Sequence, residues 1–168
     1  MIIGIGGVSR AGKTSLALQI HEWAGEGKVK IFHQDDYIQP LDKMPKIKGH
    51  IDWENPASLD FNRLKKEIEI ACKEFQIVVV EGLMVFWDLE LTKLMNKKIY
   101  IKINKDAFLS RKTLDSRWEE EPEWYIEHIW KTHFIYGLLP AGLSGVLQID
   151  GETGYANKIV KSYLEIKE

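Results

Sequence analysis

A parallel α/β sheet covered by helices on both faces is the fold this chain predicts, on three observations. Five short β-rich runs, at residues 2–6, 29–33, 77–80, 98–103 and 146–149, alternate with stretches of helical apolar spacing. That alternation joins parallel strands by crossover helices. The run Ile77-Val78-Val79-Val80 lacks polar alternation, as a strand buried on both sides requires. The 168 residues suit one domain spanning 1–168, and no repeat, linker or low-complexity tract divides them.

The elements follow in order. The apolar run Met1-Ile2-Ile3-Gly4-Ile5 is the first strand, and Thr14-Ser15-Leu16-Ala17-Leu18-Gln19-Ile20 opens an amphipathic helix that Gly25 and Gly27 terminate. After the second strand, residues 35–55 form a long irregular stretch with Pro40, Pro45 and Gly49. Loops of that length inside a domain are usually functional, and Tyr37, Ile38, Leu41, Ile51 and Trp53 mark this one as a pocket wall. Asn55-Pro56 reads as the cap and first residue of a helix whose apolar face is Leu59, Leu64, Ile68, Ala71 and Phe75. A short helix is expected over residues 92–96, and two more between 105 and 137, broken around Glu119-Glu120-Glu121-Pro122. A last helix runs from Thr153 or Gly154 to the end.

Between the first strand and its helix stands Gly7-Val8-Ser9-Arg10-Ala11-Gly12-Lys13-Thr14, which is G-x-x-x-x-G-K-T. A buried strand delivers this loop and a helix leaves it, so backbone N–H groups converge on a phosphate at the helix N-terminus. The fold class is thereby a P-loop NTPase fold, and the ligand a nucleoside triphosphate. Gly7, Ser9, Arg10, Ala11, Gly12, Lys13, Thr14 and Ser15 form the cradle. Lys13 supplies a point charge to the β/γ-phosphates, and the Thr14 hydroxyl is a Mg²⁺ ligand.

Ligands of open α/β sheets sit beyond the carboxyl ends of the strands. Asp35 and Asp36 follow the second strand, Glu81 follows the third, and Asp52 ends the long loop. Phosphoryl transfer uses such groups to take a hydroxyl proton, hold Mg²⁺ and grip substrate hydroxyls. Arg111, Lys112 and Arg117 lie on the helical stretch after the fourth strand, where Arg111 is positioned to neutralise a transferring phosphoryl group under a closing lid.

Composition narrows the rest. A net charge of −2 gives no electrostatic case for nucleic acid, and no apolar stretch approaches a membrane span. The first apolar run is too short and glycine-rich for a secretion signal, so a cytoplasmic location is expected. The single Cys72 is expected as core or near-core filler, and the five histidines show no metal-ligand spacing with it.

Several segments beyond the phosphate loop resemble the uridine kinase–phosphoribulokinase group of P-loop kinases. They are Gln34-Asp35-Asp36-Tyr37 with Pro40, Ile51-Asp52, and Val80-Glu81-Gly82-Leu83-Met84-Val85-Phe86. With His128-Ile129-Trp130 and Ile149-Asp150-Gly151, the pattern is most similar to nicotinamide riboside kinases. The resemblance spans nearly the whole chain. It implies ATP- and Mg²⁺-dependent phosphorylation of a primary hydroxyl on a small ribosyl compound, most like nicotinamide riboside, with a small helical lid over about residues 108–122. It assigns Asp35 as the base, with Lys13 and Arg111 beside the transferring phosphoryl group. Asp36, Tyr37, Asp52 and Trp53 fall to the substrate, Glu81 to substrate and metal with Thr14, and Arg117, Gly151 and Thr153 to ATP. Ile51 stands where nicotinamide riboside kinases carry an aromatic residue, leaving Trp53, Trp118 or Tyr37 as the stacking face. The uridine kinase segment F-D-H-P-x-A reads here Ile51-Asp52-Trp53-Glu54-Asn55-Pro56-Ala57. The alternatives are a uridine or cytidine kinase, a kinase of another small hydroxylated acceptor, a nucleotide-dependent regulatory or assembly protein, or a homologue that binds ATP without chemistry. The sequence leaves oligomeric state open.

Overall fold

A computed structural model describes residues 1–114, 121–154 and 157–166 of the chain. Five strands form one parallel sheet: β1 (Ile2–Gly7), β2 (Val29–His33), β5 (Ile77–Gly82), β6 (Lys97–Lys102) and β7 (Val146–Asp150), in the order β2-β5-β1-β6-β7. The expected strands are all present. A two-residue hairpin pair, β3 (Lys46–Ile47) and β4 (His50–Ile51), stands apart from the sheet, within the stretch expected to be irregular.

Successive strand residues point to opposite faces, and here both faces are buried. Ile3, Ile5, Val79, Ile99 and Ile101 join α1 (Lys13–Ala24), α4 (Lys105–Thr113), α5 (Glu123–Tyr136) and α6 (Asn157–Leu164) in one core, through Leu16, Ile20, Phe108, Ile129 and Val160. Val78, Val80 and Tyr100 face the other way, against Leu64 and Ile68 of α2 (Phe61–Ala71) and Leu91 of α3 (Leu89–Leu94). Each such side chain contributes roughly 1.5–3 kcal/mol on burial.

Four expectations need correction. Asn55 caps only a single 3₁₀ turn at Pro56–Ser58. The bridge between Ile38 and Leu59 keeps Leu59 extended, so α2 starts two residues later, with the Asp60 carboxylate accepting from the Arg63 N–H at 2.9 Å. The short helix expected at 92–96 lies instead at Leu89–Leu94, because Asp88 accepts from the Leu91 N–H at 2.7 Å and Met95 is already extended. The last helix, described over Asn157–Leu164, does not include residues 153 and 154, since Glu152 N–H and Thr153 Oγ1 both bond the Asp150 carboxylate and keep that stretch a turn. Cys72 is exposed, sitting at the C-cap of α2 one position beyond the buried Ala71. No helix among the described residues is long and apolar enough to cross a membrane.

Candidate active site

The parallel register sets the site. It aligns Ile5, Glu81 and His33 across three neighbouring strands at their carboxyl ends, where the phosphate loop begins. Glu81 thus lies inside β5 rather than after it. Gly7 takes φ 147°, and a Cβ there would stand 2.4 Å from the Ile101 carbonyl oxygen, so the strand-to-loop turn needs glycine. Gly12 caps α1 at φ 104°, and the Lys13 ammonium folds back to donate to the Val8 carbonyl at 3.0 Å. The Thr14 hydroxyl donates to Glu81 Oε1 at 2.8 Å, and His33 Nδ1 meets the same oxygen at 2.8 Å.

A hydroxyl beside a buried carboxylate is the hard-oxygen donor set that Mg²⁺ prefers. Loop, lysine and donor pair together fit a magnesium–triphosphate. Among the described residues no group of three or more His, Cys, Asp or Glu side chains gathers as a metal cluster.

In front of the loop opens a cavity of about 770 Å³. Of the residues picked out in the sequence, Ser9, Arg10, Gly12, Lys13, Thr14, Ser15, Asp35, Trp53, Glu81, Arg111 and Lys112 line it. Gly7 and Ala11 lie beneath the loop, in the strand and the core. Asp35 is exposed into the cavity on the turn after β2; partial desolvation by the cavity walls raises its carboxyl above the usual range while the Lys13 charge pulls it down. Gln34, almost wholly buried, fixes that turn by accepting the Met84 N–H at 3.0 Å.

The remaining picks lie elsewhere. Asp36 is exposed, with its carbonyl bonded to Arg63. Tyr37 is buried against Phe32, its hydroxyl donates to Glu67, and Arg63 covers its ring at 4.6 Å, so it offers no stacking face. Asp52 is not on the cavity wall: its carboxylate pairs with His128 Nε2 at 2.7 Å. Gly151 packs under the phosphate loop, where a Cβ would meet the Ala11 carbonyl oxygen at 2.7 Å, and Thr153 bonds Asp150. Arg111 reaches the cavity, but its guanidinium donates to the Arg10 carbonyl at 3.1 Å and the Gly151 carbonyl at 2.7 Å, clamping the two nucleotide-side loops together. Arg117 and Trp118 lie outside the described residues.

One acidic side chain was missed. Glu54, half-buried, takes the cavity position expected of Asp52. Burial first, then the Asp35 charge, pushes its carboxyl up to about 8, against the opposing pull of Lys112 and Lys13. The signal was in the spacing: counted back from Pro56, the aromatic–acid–x–Pro pattern falls on Trp53-Glu54-Asn55-Pro56, not on Ile51-Asp52. Lys112, named with Arg111 in the sequence, is buried and paired with Glu121 at 2.8 Å, and adds a second cation facing Glu54. Trp53, 43 % exposed on the rim, and Tyr125 supply aromatic surface. Two acids and two lysines thus meet at a phosphate loop, the setting in which displaced carboxyl pKa values mark function.

No protein-family model matches the chain. In sequence it is similar to a uridine kinase of Chlamydia pneumoniae, 30 % identical over 139 residues that cover 67 % of this chain and 62 % of that protein. A uridine kinase of Clostridium novyi is 26 % identical, covering 68 % and 67 %. The chain therefore spans just under two thirds of the Chlamydia protein's length. In structure it is similar to a possible uridine kinase from Bacillus stearothermophilus, with TM-score 0.54, 18 % identity and 88 % of each chain covered. A sugar kinase from Janibacter superposes with TM-score 0.62 at 12 % identity, covering 98 % of this chain and 94 % of that one. The chain is thus uridine kinase-like in sequence and carries the five-stranded parallel α/β fold of the P-loop kinases.

Proposed function

We propose that this protein transfers the γ-phosphoryl group of ATP to the primary hydroxyl of a small ribosyl compound. Its similarity to uridine kinases favours a pyrimidine nucleoside over nicotinamide riboside as the acceptor. The observation that carries the reading is one cavity holding the phosphate loop, the Thr14–Glu81 pair and the carboxyls of Asp35 and Glu54.

Asp35 accepts the proton of the attacking hydroxyl; a carboxyl raised by the cavity walls around it is a better base near neutral pH than an ordinary one. The hydroxyl oxygen bonds to the γ-phosphorus as the bond to the β–γ bridging oxygen breaks, and ADP leaves with that electron pair. Lys13 and Lys112 offset the developing negative charge. Thr14 and Glu81 would hold Mg²⁺, which when bound neutralises phosphate charge. Glu54 grips acceptor hydroxyls, Trp53 and Tyr125 flank the base, and Arg111 keeps Arg10 and Gly151 in place around ATP.

The test is mass-spectrometric detection of phosphorylated product from Mg·ATP and separate acceptors: uridine, cytidine, nicotinamide riboside, other nucleosides and pantothenate. Lys13→Ala and a blank without acceptor serve as controls. Uridine or cytidine monophosphate, absent from both controls, is the expected result. ADP formed equally in the blank, or ATP binding with no product from any acceptor, refutes the proposal.

A further inference from the structure

The His128-Ile129-Trp130 motif has no part in the chemistry above, yet its histidine is tied to the loop that carries the acceptor wall. His128 Nε2 stands 2.7 Å from Asp52 Oδ1, with the two side chains only 16 % and 11 % exposed. Three residues earlier on α5, the Tyr125 hydroxyl accepts the Trp53 N–H at 3.0 Å. Asp52 is further knotted into the loop by its own backbone. Its N–H donates to the Pro45 carbonyl at 2.8 Å, and its carbonyl accepts from Ser58 Oγ at 2.5 Å. Glu54 follows two residues later and is the one that reaches the cavity.

We propose that the Asp52–His128 pair is a latch by which α5 positions Glu54. Both are then positioning residues for the acceptor, not ligands of it. The proposal rests on the reading of Glu54 as an acceptor ligand.

Three features favour it. The pair is shielded from water, so its hydrogen bond competes little with solvent. It joins a loop to a three-to-four-turn helix, and a site held by a rigid element keeps its geometry. Glu121, just ahead of α5, pairs with Lys112 on α4, so the segment that enters the helix also anchors the cation facing Glu54.

The experiment combines hydrogen exchange with kinetics on wild type, His128→Asn, Asp52→Asn, Glu54→Gln and Glu54→Gln/His128→Asn, using Mg·ATP with uridine and with nicotinamide riboside. Loss of the latch should speed exchange over residues 50–60 and raise the acceptor KM, each about tenfold, the effect of one buried hydrogen bond, with the ATP KM little changed. Exchange over residues 77–86 should stay as in wild type, which shows that the variants fold. On a Glu54→Gln background, His128→Asn should add nothing further to the acceptor KM. Unchanged exchange over 50–60, an equal rise in both KM values, or a His128→Asn effect that multiplies that of Glu54→Gln overturns the latch. Faster exchange with an acceptor KM unmoved by Glu54→Gln would instead sink the ligand reading of Glu54. The pair would then be a loop anchor with no role in acceptor binding.

Discussion

Replacing Glu54 by glutamine probes the site without any substrate bound. Burial moves this carboxyl from 4.5 to about 8. The sign follows from linkage: between those values the folded chain keeps a proton that the unfolded chain releases, so folded stability falls as pH rises through that window. A displacement of that size caps the effect near ~5 kcal/mol. Glu54 is only half-buried and Lys13 and Lys112 are near, so a loss of ~2–3 kcal/mol between about pH 5 and pH 8 is expected. The neutral, isosteric amide escapes it. Denaturant unfolding of both proteins at about pH 5, 6.5 and 8 reads the difference, and contributions from other titrating groups cancel between them. Glu54→Gln should be close to wild type at the low end and more stable by ~2–3 kcal/mol at the high end. Parallel stability curves would show that Glu54 titrates normally and that the cavity is open to water there. The same variant should weaken acceptor binding, so stability and function move in opposite directions.

Other outcomes follow from the same geometry. Lys13→Ala and Asp35→Asn should each lower turnover at least ~100-fold. The acid limb of the wild-type pH–rate profile, set by a raised Asp35 carboxyl, should vanish in Asp35→Asn, and turnover within about tenfold of wild type would remove Asp35 as the base. Arg111→Ala breaks the clamp between the Arg10 and Gly151 carbonyls, so the ATP KM should rise about tenfold while the acceptor KM holds; a fall in kcat alone would return Arg111 to the transferring phosphoryl group. Asp60→Ala removes the side-chain cap of α2 and should cost ~1 kcal/mol in denaturant unfolding, without effect on either KM.

Much of this protein was legible in its sequence because the relevant physics is local. The phosphate loop needs a strand before it, a helix after it and glycines at the turns, and all of these stand within a few residues of one another. The central strands announced themselves as continuous apolar runs, since a strand covered on both faces leaves no room for polar alternation, while the outer ones, such as Val29-Lys30-Ile31-Phe32-His33, showed as short β-rich runs. Asp35 and Glu81 were legible as cavity-lining carboxyls because strand ends are where such sheets open toward ligands.

What the tertiary structure decided was which member of a close pair faces the cavity. Asp52 and Glu54 are both acidic and two residues apart in an irregular loop, where no helical or strand period says which way a side chain points. Their placement follows from groups distant in the chain: His128, 76 residues away, draws Asp52 aside, while Lys112 and Lys13 face Glu54. Tyr37 was likewise turned inward by Glu67, and Arg111 was bound across 101 residues to the carbonyl of Arg10. Local sequence determines backbone turns and apolar faces, whereas a polar side chain in a loop goes to whichever partner the packed fold brings within hydrogen-bonding reach.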